Sequence, residues 1–231
     1  MQVQNTFYYW AFSALAFWGA CRNAEKSPDA LKDTQVQLVE KDSTGMVKTK
    51  KTIVFFGNSL TAGYGLEEEQ SFPSVIQKRI DSLRMPFVVV NAGLSGETSA
   101  GGNSRIDWVL KQDMDLFVLE LGANDALRGL DAKATLENLR GILTKVRVKH
   151  PDIPLIVAGM LAPPNLGLDY TRIFEQNYQT LAKEFNAGLI PFLLANVAAV
   201  PSLNQPDGIH PTAEGAKIVA ENVWAELKKY L

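Results

Sequence analysis

One cysteine and two histidines in 231 residues supply little for a metal centre, and no HExxH or CxxC spacing adds to them. Cys21 has no partner for an internal disulfide. A charge excess is missing too. The 23 Lys and Arg against 25 Asp and Glu leave a net charge of -2, which gives no electrostatic reason to expect nucleic acid as a partner. The uncharged run Phe7 to Ala20 (FYYWAFSALAFWGA) stops at 14 residues, short of the about 20 that a membrane-spanning helix needs. What is present is 46% hydrophobic and 21% charged residues, the composition of a globular protein with a full core. The length suits one domain plus an extension.

The short apolar run reads as the core of a signal peptide, with Gly19 and Ala20 as the small residues before a cut. A cut that leaves Cys21 first resembles a bacterial lipoprotein signal, in which that cysteine carries the lipid. Two features depart from that pattern: no Lys or Arg precedes the run, and Trp18 stands where Leu is usual. A plain secretory signal or an N-terminal anchor is the other reading. The expectation is a signal peptide over 1–21 with a lipidated Cys21, in an exported bacterial protein, periplasmic or membrane-anchored. Residues 22–50 carry six basic and five acidic side chains and no sustained period, so they are expected to form a flexible linker.

From Lys51 onward, short apolar runs alternate with amphipathic segments. The runs lie at 52–56, 87–91, 116–121, 155–159 and 189–192, rich in β-branched and aromatic residues and without polar alternation. That pattern suits strands buried on both faces. Leu136, Leu139, Leu143 and Val146 share a helical face after a cap at Asp131. Ala216, Ala220, Val223 and Leu227 share another, opened by Pro211 and Thr212, with Lys228 and Lys229 in the last turn. Five strands alternating with helices predict an α/β domain over 51–231, a five-stranded parallel sheet with helices on both faces. These patterns do not reveal strand order.

In such a sheet, ligands bind at the carboxyl ends of the strands. The segment after the first strand is GNSL, with Ser59; after the second, NAGLSGETSAGG, with Gly93; after the third, GANDALRG, with Asn124. Past the fifth comes DGIHP, with Asp207 and His210. A serine hydroxyl needs a base before it can attack, usually a histidine oriented by a carboxylate. His150 ends a helix in KHP and is set aside as an ordinary C-terminal polar residue. His210 stands on the site edge, three residues after Asp207. The amide of Asn124 and the backbone N–H groups of Gly93 and Ser59 are suited to hold an oxyanion. Taken singly, Ser59 caps a helix as readily as it attacks a carbonyl, and Gly93 and Asn124 are ordinary turn residues. Their convergence on one edge favours the chemical reading.

These four blocks, in this order, resemble the SGNH (GDSL-type) hydrolases. The pieces GNSLTAGYGL, NAGLSGETSAGG, GANDALRG, MLAPPNLGLDY and LIPFLLANVAAVPSLNQPDGIHP are similar to the bacterial acyl-thioesterase I, arylesterase and lysophospholipase branch. The resemblance implies a three-layer flavodoxin-like fold with strand order 2-1-3-4-5 and no cofactor or metal. It also implies Ser59 as nucleophile, His210 as base, Asp207 as its orienter, and an oxyanion hole of Ser59, Gly93 and Asn124. One position departs from the family signature, which has Asp before the serine where this chain has Asn58. Asn keeps the shape but brings donors where a carboxylate only accepts, so it is expected to alter the support of the turn and leave the machinery in place. Thr61 in place of the last glycine sets the turn apart from the GxSxG elbow of α/β-hydrolases.

The implied substrates are small acyl or aryl esters, lysophospholipids and thioesters. The segments 161–168 and 193–201 are apolar enough to line an acyl groove. A carbohydrate O-acetylesterase on the same fold and a non-catalytic surface lipoprotein are the rival readings. Oligomeric state has no signature in the sequence.

Overall fold

Ile53, Val54, Phe55 and Phe56 are completely buried, and around this run the domain is built. The computed structural model describes residues 39–41 and 47–231. Strands β1 (Val39–Lys41) and β2 (Val47–Thr49) pair antiparallel, within the stretch expected as linker. Cys21 and the expected signal peptide lie outside the described residues.

The main sheet contains β3 (Lys51–Gly57), β4 (Phe87–Gly93), β5 (Leu116–Glu120), β6 (Leu155–Ala158) and β7 (Gly188–Ile190). Its order is β4-β3-β5-β6-β7, every neighbour parallel. This is the order 2-1-3-4-5 that the resemblance implies. Burial on both faces explains the unbroken apolar runs, and each large side chain so buried contributes about 2 kcal/mol of transfer free energy.

Helices α2 (Phe72–Ser82) and α7 (Ala213–Leu227) pack together on one face. Helices α3 (Ser99–Val109), α5 (Ala132–Lys149) and α6 (Leu168–Glu184) cover the other. Short α1 (Ser59–Ala62) and α4 (Ala123–Leu127) begin at the carboxyl ends of β3 and β5. The expected caps are present. The Asp131 carboxylate accepts the N–H of Lys133 at 2.6 Å at the head of α5, and the Thr212 hydroxyl accepts that of Gly215 at 3.3 Å at the head of α7. Lys228 is the C-cap of α7 and Lys229 lies beyond it, because the helix ends with Leu227, the last residue of its buried face.

Candidate active site

The strand β3 ends at Gly57, where the chain turns over the side chain of Glu120. A Cβ there would stand 2.1 Å from Thr61 Oγ1 and 2.6 Å from Glu120 Oε2, so only glycine fits. Asn58 follows as N-cap of α1, its Oδ1 accepting the Leu60 N–H at 2.9 Å. Ser59 is the first residue of that helix, so its own N–H has no acceptor within the helix. The side chain stands at the mouth of the turn.

His210 arrives from the far side of the sheet on the segment between β7 and α7. An isolated bridge pairs Asn204 with Pro211, and the Gln205 N–H donates to the His210 carbonyl at 2.7 Å. Within this loop, Asp207 Oδ1 accepts the N–H groups of Ile209 (3.0 Å) and His210 (3.1 Å), while Oδ2 lies 2.7 Å from His210 Nδ1. The hydrogen bond from His210, aided by the two backbone donors, holds the Asp207 carboxyl down at about 2. An ionised carboxylate only accepts, so the ring carries its proton on Nδ1 and leaves the Nε2 lone pair free. Nε2 lies 2.8 Å from Ser59 Oγ. The ring of Tyr64 lies against the imidazole, centroids 4.7 Å apart. Ser59, His210 and Asp207 thus form one chain of hydrogen bonds. His150, at the C-cap of α5, takes no part in it.

Asn124, in the first turn of α4, donates through Nδ2 to the Glu97 carbonyl at 2.9 Å, which leaves its second amide proton available. The loop carrying Glu97 is clamped. Arg105 grips the Glu97 carboxylate with Nε (2.7 Å) and an Nη (2.6 Å), and the same Nη reaches the Ala92 carbonyl at 2.9 Å. Asp125 completes the junction by accepting the Ser99 N–H at 2.8 Å.

Gly93 does not fulfil its expected part. Its N–H donates to Asn91 Oδ1 at 3.0 Å, and a Cβ on it would meet the Ala62 backbone nitrogen at 2.3 Å. It is a packing glycine behind α1, with its donor already used. Three residues on, Gly96 has a left-handed backbone (φ +81) beside the Glu97 carbonyl that orients Asn124, and its N–H bonds no acceptor among the described residues. Both glycines sit in NAGLSGET, and what tells them apart is that Gly93 gives its N–H to Asn91 Oδ1 and lies against the Ala62 backbone.

A groove of about 430 Å³ opens from Ser59, Asn124 and His210. Its walls come from Met160 to Pro164 after β6 and from Phe192, Leu194, Ala198 and Ala199 after β7. The two segments expected to line it therefore divide. Leu193 and Val197 turn into the core, and Leu168 faces solvent.

Two residues beneath the site escaped sequence reasoning. Glu120 is fully buried at the end of β5, and the signal it left was a lone carboxyl inside LeuPheValLeuGluLeu. Gln205 bonds the carbonyls of Tyr64 (2.7 Å) and Pro211 (2.9 Å) through Nε2, and nothing in its sequence context marks it. Among the described residues no cluster of His, Cys, Asp and Glu is arranged to hold a metal ion.

The profile of the GDSL-like lipase/acylhydrolase family matches residues 55–218. The esterase TesA of Pseudomonas aeruginosa is 36% identical over 182 residues, 78% of this chain and 90% of that protein. The thioesterase 1/protease 1/lysophospholipase L1 of Escherichia coli is 37% identical over 171 residues, 74% of this chain and 80% of that protein. The psychrotrophic esterase EstA of Pseudoalteromonas, solved in a form inhibited by monoethylphosphonate, superposes with a TM-score of 0.74 at 30% identity, covering 78% of this chain and 98% of that one. With a family profile over 55–218 and relatives 36% and 37% identical, the chain belongs to the GDSL-like lipase/acylhydrolase family and is a carboxylic ester hydrolase.

Proposed function

We propose that this protein is a serine esterase that cleaves acyl or aryl esters, including lysophospholipids and thioesters, through an acyl-enzyme on Ser59. The observation that carries this reading is the chain Asp207–His210–Ser59, with bonds of 2.7 and 2.8 Å, opening onto an apolar groove. Ser59 Oγ attacks the carbonyl carbon while His210 Nε2 takes its proton, and the imidazolium formed is stabilised by Asp207. The oxyanion is met by the Ser59 N–H, the Asn124 amide and the Gly96 N–H. His210 returns the proton to the leaving alcohol or thiol, and water then releases the acyl group by the same path.

The apolar walls at Met160, Leu161, Ala162, Phe192 and Leu194 favour an acyl chain over an acetylated sugar, whose hydroxyls would face few partners. The relatives' activities on esters, thioesters and lysophospholipids support the same class. Among the described residues no helix is long and apolar enough to cross a membrane. We assign membrane attachment, in an exported protein, to a lipid on Cys21 with residues 22–50 as its tether.

The test is hydrolysis of p-nitrophenyl esters of increasing acyl length and of an acetylated sugar, by the protein and by Ser59→Ala. Preference for the longer acyl esters, abolished in the variant, is the expected result. Equal rates in Ser59→Ala would overturn the mechanism, and faster turnover of the acetylated sugar would overturn the substrate class.

A further inference from the structure

Glu120 is completely buried beneath the nucleophile turn, and the ester chemistry above makes no use of it. Its two oxygens collect three donors. Oε1 accepts the Asn58 side-chain amide at 2.9 Å, while Oε2 accepts the Asn58 backbone N–H at 3.2 Å and the Thr61 hydroxyl at 2.8 Å. Those donors flank Ser59 on both sides. Asn58 is meanwhile committed at its other end, where Oδ1 accepts the Leu60 N–H at 2.9 Å and lies 3.4 Å from Ser59 Oγ. The amide is therefore fixed in one orientation, with oxygen toward the helix start and nitrogen toward Glu120.

We propose that Glu120 is a positioning residue for the nucleophile: its carboxylate, read by Asn58 and Thr61, sets the turn that aims Ser59, and Asn58 is the residue matched to that carboxylate in its ionised form. The proposal rests on the assignment of Ser59 as nucleophile. The two Asn58 N–H groups can only donate and the Thr61 hydroxyl is able to, which suits a charged acceptor; an added proton would have only the Thr61 hydroxyl to receive it. Burial pushes the carboxyl up to about 7, against the pull of the Thr61 and Asn58 donors, so its charge state changes near neutrality. The groups facing it are Asn58, the N-cap of α1, Thr61 within α1 and, from α6, Tyr178, whose hydroxyl donates to the Leu121 carbonyl at 3.1 Å; none of the groups acting on it is basic. The amide of Asn58 therefore does the work of a counter-charge.

The matching of donors and acceptors makes the pair separable by exchange. In Glu120→Gln, no arrangement of two amides satisfies the turn. With the new amide nitrogen toward Asn58, a donor opposes a donor. If the new amide flips, its nitrogen faces Thr61 and the backbone N–H instead, and if Asn58 flips, Leu60 loses its cap. In Asn58→Asp, two carboxyls share one proton, which reproduces the pattern only until that proton leaves at higher pH. In the double variant Asn58→Asp/Glu120→Gln, the introduced carboxylate caps Leu60 and accepts from the introduced amide, whose oxygen accepts the other two donors. The pattern is restored with the charge exchanged.

The experiment measures kcat and KM against pH for the full-length protein, these three variants and Ser59→Ala, with melting temperatures as the check on folding. Glu120→Gln is expected to lower kcat by about tenfold or more with KM within about twofold, the mark of a misplaced nucleophile. The double variant should recover most of that loss. Asn58→Asp should keep its kcat near neutral pH and lose it on the alkaline side, where the parent does not. An unchanged kcat in Glu120→Gln, a double variant no better than Glu120→Gln, or an Asn58→Asp profile that overlies the parent would overturn the proposal. Should Glu120→Gln fail to fold, the double variant and Asn58→Asp still decide it. Full activity in Ser59→Ala would instead sink the serine mechanism, so the two failures are distinct.

Discussion

Nε2 of Gln205 donates to the carbonyl of Tyr64 over 2.7 Å, and the same nitrogen reaches the Pro211 carbonyl at 2.9 Å. One amide thereby joins the chain that leaves α1, which carries Ser59, to the turn that carries His210. These elements are 141 residues apart in sequence at the Gln205–Tyr64 bond. Gln205→Ala removes both bonds and leaves the loop its backbone bonds, so the 2.8 Å approach of His210 to Ser59 should loosen. A fall in kcat of roughly tenfold with little change in KM is expected, since misplacement costs the reacting geometry more than binding. Steady-state kinetics check it, and a rise in KM alone would contradict it.

The two histidines provide an internal control. His210→Ala removes the base that lies 2.8 Å from Ser59 Oγ and should reduce kcat by several orders of magnitude. His150 sits at the C-cap of α5, away from the hydrogen-bonded chain, and His150→Ala should leave the rate within about twofold. Equal losses in both variants would refute the assignment of the base.

How much of this was legible beforehand depends on what kind of contact decides each residue. Ser59, Asp207 and His210 belong to residue types that few roles can occupy together, and all fall where a parallel sheet presents its ligand edge. The topology brings them to one edge, and side-chain bonds such as those of Gln205 and Asp207 then set their final distances. Gly93 and Gly96 share one loop and one residue type, and what separates them is the hydrogen bond that the Gly93 N–H gives to Asn91, with the close Ala62 backbone beside it. Periodicity carries no trace of such a bond. Glu120 lies in a strand that reads as uniformly buried, so its carboxyl was visible as an anomaly, but its partners came from a turn 59 to 62 residues away. The groove segments divided for a related reason: outside regular strands and helices, apolar residues show no period that tells a wall from the core.

The oxyanion reading has its own consequence. Asn124 keeps one amide proton on the Glu97 carbonyl at 2.9 Å and presents the other to the site. Asn124→Ala should lower kcat by about 10²–10³, the loss typical of one oxyanion donor, while substrate binding changes little. Gly93→Ala should act differently. The added methyl group would collide with the Ala62 backbone, so lowered melting temperature is its expected signature, whereas a variant with unchanged stability and a pure loss of kcat would return Gly93 to the oxyanion hole.

If Cys21 bears a lipid, Cys21→Ser should move the protein from the membrane fraction to the soluble one, with hydrolysis of a soluble ester retained. Fractionation of cells expressing each form checks this, and an unchanged distribution would count against the anchor.

Glu120 also imposes a pH dependence on stability whose sign follows from burial. A carboxyl whose pKa is higher in the folded chain holds its proton more tightly there. Its stabilising contribution is complete below the ordinary value of 4.5 and is lost as pH rises through about 7. That displacement corresponds to an effect on the order of 3 kcal/mol. Asp207 works the other way: its depressed pKa contributes stability above the ordinary 3.8 that disappears as pH falls toward about 2. Between pH 4.5 and 7 the Glu120 contribution therefore dominates the difference between the parent and Glu120→Gln. Denaturant titrations across that window should show the parent losing stability relative to Glu120→Gln as pH rises. Parallel curves would mean that Glu120 is already ionised in the folded chain across the window, and would refute the upward push of burial on its carboxyl.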